Sequence, residues 1–157
     1  MSAVYFYHLT RAPLEVTLAL LCEKARGAGW RILLRVTDDT RRAHLDAQLW
    51  LGRADGFLPH GQAGGAHDAL QPVLLAGADH PVDGFDCIIS VDGAAIQPTE
   101  LPELQRAMVL FDGHDSAAVQ QARDQWRDLT QAGCAAQYWS EESGSWVLKA
   151  QSAQEQA

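Results

Sequence analysis

The sequence has few long apolar runs, few cysteines and few basic residues, and each shortage excludes a class of protein. No apolar stretch in its 157 residues approaches the roughly 20 residues that a membrane-spanning helix needs. Three cysteines without a C-x-x-C spacing do not make a disulfide scaffold, and free thiols in a reducing cytoplasm fit them best. Because Met1–Tyr7 holds no basic segment and no small-residue cleavage site, we expect no secretory signal.

Basic residues are outnumbered, with 12 Lys and Arg against 20 Asp and Glu, so the net charge is −8. The imbalance lies in one part of the chain, since residues 1–60 carry a net +2 and residues 61–157 a net −10. An acidic protein repels phosphate backbones, and we therefore expect little direct nucleic-acid binding. A small basic patch on an acidic body stays compatible with this composition.

The remaining composition is that of a globular protein, with 47% apolar and 20% charged residues. A chain of this length can bury a core without disulfides, and no linker or internal repeat divides it. We expect one domain over residues 1–150 and a frayed tail over residues 151–157.

Strands and helices alternate from the start of the chain. β-branched and aromatic residues predict a strand at Ala3–Leu9, and Pro13 suits the first position of a helix that a glycine at 27 or 29 ends. Arg31–Val36 is a second predicted strand, followed by a helix over about Thr40–Trp50. This β-α-β-α order predicts a three-layer α/β/α, Rossmann-like domain with a mostly parallel sheet.

The second half continues the pattern less regularly. We predict a helix from Asp115 or Ser116 to about Ala132 and a turn with an extended approach at Pro98–Pro102. Trp146–Leu148 either pairs at a sheet edge or packs as a tail. Further strands are predicted at Val73–Ala76, Cys87–Val91, Arg106–Phe111 and Cys134–Trp139.

A glycine-rich segment, Gly61–Gly65, invites comparison with phosphate-binding loops. A P-loop needs a Lys after its last glycine and a strand before its first, and neither is present here. The predicted strand-to-helix turn at Thr10–Pro13 also lacks the glycines of a dinucleotide fingerprint. We therefore favour a mobile connecting loop over a nucleotide site, and we expect no cofactor.

Other chemically capable residues do not form a recognisable catalytic set. Three histidines, His60, His67 and His80, lie near Asp68 and Asp79, but their spacing matches no helical ligand pair, so we favour solvated histidines over a metal site. There is no G-x-S-x-G motif. The cysteines Cys22, Cys87 and Cys134 suit small core positions, whereas Asp38–Asp39 and Glu141–Glu142 suit a helix cap and a solvated turn. We expect no catalytic residues.

Apolar residues are concentrated at the end of the second predicted helix and in the loop beyond it. Leu49-Trp50-Leu51 is followed by Phe57-Leu58-Pro59-His60. These side chains either fold inward over the sheet edge or form an exposed patch of the kind found at interfaces.

The last predicted helix combines an apolar stripe with two arginines. Its core face comprises Val119, Ala122, Trp126 and Leu129. Arg123 and Arg127 stand one turn apart beside the indole, which makes a compact anion site with an apolar floor. Alternatively, Asp124 and Asp128 neutralise both arginines on a solvated face.

These features together resemble the chi subunit family of bacterial DNA polymerase III holoenzyme, over about residues 3–139. The most specific element is Trp50 followed by Phe57, Pro59 and His60. Ala122-Arg123 with Trp126, Ala132-Gly133 and the opening Val4–Tyr7 strand are also similar to that family.

The resemblance implies a non-catalytic accessory subunit of the clamp-loader assembly, with a Rossmann-like fold and no nucleotide site. It implies binding of the acidic C-terminal tail of single-stranded DNA-binding protein by Arg123 and Trp126, with Val119 where the family has a basic residue and Arg127 as a possible substitute. It also implies that Trp50, Phe57, Leu58, Pro59 and His60 face a partner: the psi subunit, a helicase or another clamp-loader subunit. The alternatives are a nucleotide-binding enzyme and a self-associating scaffold.

Overall fold

The structure is a computed structural model that describes residues 3–11, 13–51, 60–64, 71–77, 80–141 and 146–151, the side chains of 49–51 excepted. The strands are β1 Ala3–Leu9, β2 Ile32–Val36, β3 Gly61–Gln62, β4 Val73–Ala76, β5 Cys87–Val91, β6 Arg106–Asp112, β7 Ala135–Ser140 and β8 Val147–Gln151. The helices are α1 Leu14–Gly27, α2 Asp39–Leu51 and α3 Ser116–Gln131, with a 3₁₀ helix at Pro98–Glu103.

All eight strands form one sheet in the order β3-β4-β2-β5-β6-β1-β7-β8. Every neighbouring pair is parallel except β7 and β8, which are antiparallel. Leu18 of α1 and Leu45 of α2 pack in the core on one face of the sheet, and Leu129 of α3 packs in the core on the other. The predicted three-layer α/β/α fold with a mostly parallel sheet is therefore confirmed.

The burial of the central strands explains why their apolar runs could be recognised in the sequence. Every residue of β2, β4 and β5 is buried, as expected for central parallel strands with helices on both faces. α1 buries Leu18, Leu21 and Ala25, which lie three and four residues apart on one face of the helix. None of the helices in the described part of the chain is long and apolar enough to cross a membrane.

One local prediction was wrong. Gly61–Gln62 is not loop but a short parallel strand beside β4, because the Ala63 amide donates to Leu75 O and the Gln71 side chain packs against Gly61.

Two other segments are more regular than the sequence indicated. The turn predicted at Pro98–Pro102 is a 3₁₀ helix over Pro98–Glu103, which extended Gln97 precedes and which Gln97 and Glu100 cap reciprocally. β8 continues to Gln151, while residues 152–157 lie outside the described part.

Candidate functional site

α3 begins at Asp115, whose carboxylate accepts hydrogen bonds from the amides of Ala117 (3.0 Å) and Ala118 (3.4 Å). This cap satisfies amides that have no partner within the helix, as the sequence predicted. The helix then buries Ala122 and Leu129 against the sheet. The apolar stripe therefore fixes which face of α3 is turned to solvent.

Two predicted site residues lie at the margin of that stripe. Val119 and Trp126 are half-buried and pack against the core. The Trp126 ring meets Phe6 edge-on at 5.5 Å and Tyr138 at 6.2 Å between centroids. Trp126 is thus part of the core and also part of the surface.

The two arginines of α3 differ in their surroundings. Arg127 forms an exposed ion pair with Asp124 at 3.2 Å, so the predicted neutralisation holds for this arginine. Arg123 is exposed, and within the described residues no ion pair engages it. Val119, Arg123, Trp126 and Arg127 follow one another at helical spacing. A free guanidinium therefore lies beside half-exposed apolar surface.

The predicted partner-facing residues are only partly within the described structure. Trp50 lies in the last turn of α2, and Phe57, Leu58 and Pro59 lie outside the described residues. His60 was expected to be solvated, and that expectation was wrong.

The His60 side chain is buried between β3 and α2. It is 0% exposed, with Nε2 3.0 Å from the Asp46 carbonyl oxygen and 3.4 Å from the Asp46 carboxylate. The imidazole joins residue 60 to α2 and does not itself lie on the surface.

A crevice of about 660 Å³ opens at the carboxyl ends of β1 and β6. The chain leaves β1 towards one face of the sheet and leaves β6 towards the other, which makes this the switch point where α/β proteins usually bind ligands. Leu9, Asp112 and His114 are among the residues that line it.

A carboxylate of the protein itself binds the backbone turn that borders this crevice, at Thr10 and Arg11. Glu141 accepts hydrogen bonds from the backbone amides of Thr10 and Arg11, both at 3.0 Å, in the β1–α1 turn where a dinucleotide's pyrophosphate would lie. The prediction of a solvated turn was wrong for Glu141, which is only 7% exposed. No local signal could have shown this, because the partners are 130 and 131 residues apart in sequence.

The cysteines are core residues rather than nucleophiles. Cys22 and Cys87 are buried, which confirms their predicted placement, and Cys134 is half-buried. Burial raises the pKa of Cys87 to about 12 and raises the pKa of Cys22 as well, so neither thiol is poised to ionise. Among the described residues, no three His, Cys, Asp or Glu side chains gather to hold a metal ion. His67, Asp68 and Asp79 lie outside them.

Comparison with known proteins identifies a family. A sequence model described as "DNA polymerase III chi subunit, HolC" matches residues 1–137. The chain is also 32% identical over 136 residues to the DNA polymerase III subunit chi of Pseudomonas aeruginosa, an alignment that covers 85% of this chain and 92% of that protein.

Proposed function

This chain belongs to the DNA polymerase III chi subunit family, and from that premise we propose that α3 binds the acidic C-terminal tail of single-stranded DNA-binding protein. A chi subunit is an accessory, not the catalytic, subunit of the replicative polymerase. Binding the tail would link that polymerase assembly to the protein that coats its single-stranded template. We place the site at Val119, Arg123, Trp126 and Arg127, and the complex in the cytoplasm.

The observation that carries this proposal is the exposed Arg123 guanidinium beside half-exposed apolar side chains. A guanidinium can take a C-terminal carboxylate with two parallel hydrogen bonds. The uncovered parts of Val119 and Trp126 supply an apolar floor for the side chain next to that carboxylate. An acidic peptide with an apolar end is therefore preferred to a bare polyanion, which the net charge of −8 would repel.

Arg123→Ala should weaken binding of a peptide that carries the host protein's tail by roughly ten- to a hundredfold. This is the loss expected for one hydrogen bond to a charged group, about 1.5–3 kcal/mol. Arg123→Glu should weaken it further, because repulsion replaces attraction. Rising salt should weaken wild-type binding, since the pair is screened. Calorimetric titration of the peptide measures each effect, and thermal melts show whether the variants stay folded.

Arg127→Ala is the matched control, because this arginine lies one turn away on the same helix but is already paired with Asp124. We expect its effect on tail binding to be smaller than that of Arg123→Ala. A folded Arg123→Glu variant that binds the peptide as tightly as the wild type would show that the tail binds elsewhere.

We propose a second partner surface at Trp50, Phe57, Leu58, Pro59 and His60, for the psi subunit, a helicase or another clamp-loader subunit. Its support is the run of apolar residues at the end of α2 and beyond. The buried His60 side chain contacts Asp46 of α2, so we propose that it supports this surface rather than touching the partner.

We further propose that the protein has no active site of its own and needs no cofactor. Glu141 already satisfies the amides that would receive a pyrophosphate, and a dinucleotide would bring more negative charge beside that carboxylate. Adding ATP or NAD should therefore leave the melting temperature unchanged. A rise in the melting temperature with nucleotide concentration would contradict this, because a ligand that binds the native state must stabilise it.

A further inference from the structure

One face of the sheet lacks a helix over part of its width. α1 and α2 cover the strands from β6 to β4, while α3 packs on the opposite face against β6 and β7. On the side of α1, strands β7 and β8 and the adjoining half of β1 are therefore uncovered by any helix in the described part of the chain. We call the side chains there the open face: Tyr5, Tyr7, Gln137, Trp139, Trp146 and Leu148.

The strand register aligns side chains of the open face in two neighbouring rows across the sheet. Tyr7 pairs with Trp139, and Trp139 pairs with Leu148. Tyr5 pairs with Gln137 in the next row of the same face. The indole N–H of Trp139 donates to Gln137 Oε1 at 3.1 Å, which shows that both side chains lie on one surface.

The aromatic rings of the open face contact one another, and Tyr7 and Trp146 also pack against the core on the side of α1. The Tyr5 and Tyr7 rings are 6.5 Å apart between centroids, and Trp146 meets Tyr7 edge-on at 5.3 Å. Both tyrosines and both tryptophans are only half-buried. Leu148 at the edge is 38% exposed. Aromatic surface that a globular domain would normally bury is therefore available to a ligand.

The charge at the open face is opposite in sign to that of the whole chain. The Arg106 guanidinium lies 4.3 Å from the centroid of the Tyr5 ring, and Lys149 is exposed in β8. None of the six side chains of the open face is a carboxylate. The face is thus a small cationic and aromatic area on a protein of net charge −8.

We propose that the open face binds single-stranded DNA by stacking unpaired bases on its aromatic rings. Stacking on Tyr and Trp accepts any base, the amide of Gln137 can hydrogen-bond base edges, and Arg106 and Lys149 attract the phosphates. A duplex hides its base faces and fits this surface poorly. Membership of a DNA polymerase subunit family favours DNA over RNA.

The contact is a weak, secondary one, because the described residues bring two cations to it, Arg106 and Lys149. Each phosphate neutralised on a single strand contributes a slope of about −0.7 to the dependence of log affinity on log salt. Two such contacts predict a slope between about −1 and −2. This agrees with a protein whose overall charge opposes strong nucleic-acid binding.

The test is fluorescence anisotropy of a labelled oligothymidylate titrated with the full chain at low salt. Trp139→Ala should weaken binding about tenfold, within the range measured for removing one base-stacking aromatic. Lys149→Glu should weaken binding and flatten the salt dependence. Arg123→Glu, on the other side of the sheet, should bind the oligonucleotide as the wild type does.

The tail peptide separates this proposal from the one for α3. Trp139→Ala and Lys149→Glu should bind the peptide normally, which would also show that both are folded. If Trp139→Ala and Lys149→Glu both bind oligothymidylate as tightly as the wild type does, the proposal is wrong. It is also wrong if the wild type binds duplex DNA or oligouridylate more tightly than oligothymidylate. A concentration-dependent dimer that Trp139→Ala abolishes, without oligonucleotide binding, would show that the open face joins two copies instead.

Discussion

Glu100→Ala should lower the free energy of unfolding by about 3–5 kcal/mol, the loss expected when one partner of a buried ion pair is removed. Its partner Arg35 is 2% exposed and donates to both Glu100 oxygens, at 2.9 and 2.5 Å. The same guanidinium donates to the carbonyl oxygens of Ala95 (3.1 Å) and His80 (2.6 Å). It therefore ties β2 to the segments on either side of β5, and without the carboxylate it would be buried unneutralised.

Urea denaturation measures this loss, and Glu103→Ala is the matched control because Glu103 is exposed on the same 3₁₀ helix. We expect the control to change the unfolding free energy by less than about 0.5 kcal/mol, as for other surface substitutions. A similar small loss in both variants would mean that the Arg35–Glu100 pair adds nothing to stability.

The same pair predicts how stability depends on pH. Desolvation by burial raises the pKa of Glu100, but the hydrogen bonds from Arg35 and from the Gln97 amide outweigh it and hold the pKa below its ordinary 4.5. A lowered pKa means that the pair's contribution is complete above pH 4.5 and is lost as the pH falls through the native-state pKa. Acidification should therefore reduce the stability of the wild type more steeply than that of Glu100→Gln.

Trp126→Ala should lower the free energy of unfolding by about 3 kcal/mol, the low end of the range for removing a buried aromatic, because the ring is only half-buried. The indole packs on Phe6 and Tyr138, which join α3 to β1 and β7. Tail binding should weaken as well, since the floor beside Arg123 would be lost. Arg123→Ala, by contrast, should affect binding alone.

Trp126→Phe separates the two roles, because a smaller ring keeps most of the packing on Phe6. We expect it to recover more than half of the lost stability in the same urea experiment. Should Trp126→Ala unfold at the same urea concentration as the wild type, the ring would have to be a surface residue only.

The regular elements could be predicted from sequence because their signals are local. The apolar runs of the buried strands and the apolar stripe of α3 each lie within one short segment of the sequence. Asp115 directly precedes the helix that it caps. The features that were missed depend on distant partners. β3 forms only because β4 lies beside it, and His60 is buried only because α2 supplies Asp46. The sequence predicted a solvated turn at Glu141 because the backbone amides that donate hydrogen bonds to its carboxylate lie at the other end of the chain.

The tail site shows the same limit. Spacing alone placed Arg123, Trp126 and Arg127 together, and the structure keeps all three on α3. Helical spacing is fixed by the backbone, so such a cluster can be found before any fold is known. Which arginine is paired depends on side-chain rotamers, and Asp124 pairs with Arg127 at 3.2 Å. The sequence therefore left open whether one arginine, both or neither remained free.

The central position of β1 has a consequence for the order in which the protein folds during synthesis. β1 is made before the other strands of the sheet, yet both of its neighbours, β6 and β7, come from residues 106–140. The ribosome must therefore synthesise residues 10–105 before β1 can begin to pair on either side. Such long-range parallel pairing folds slowly and leaves an apolar strand exposed meanwhile. The nascent chain should depend on chaperones until β7 emerges.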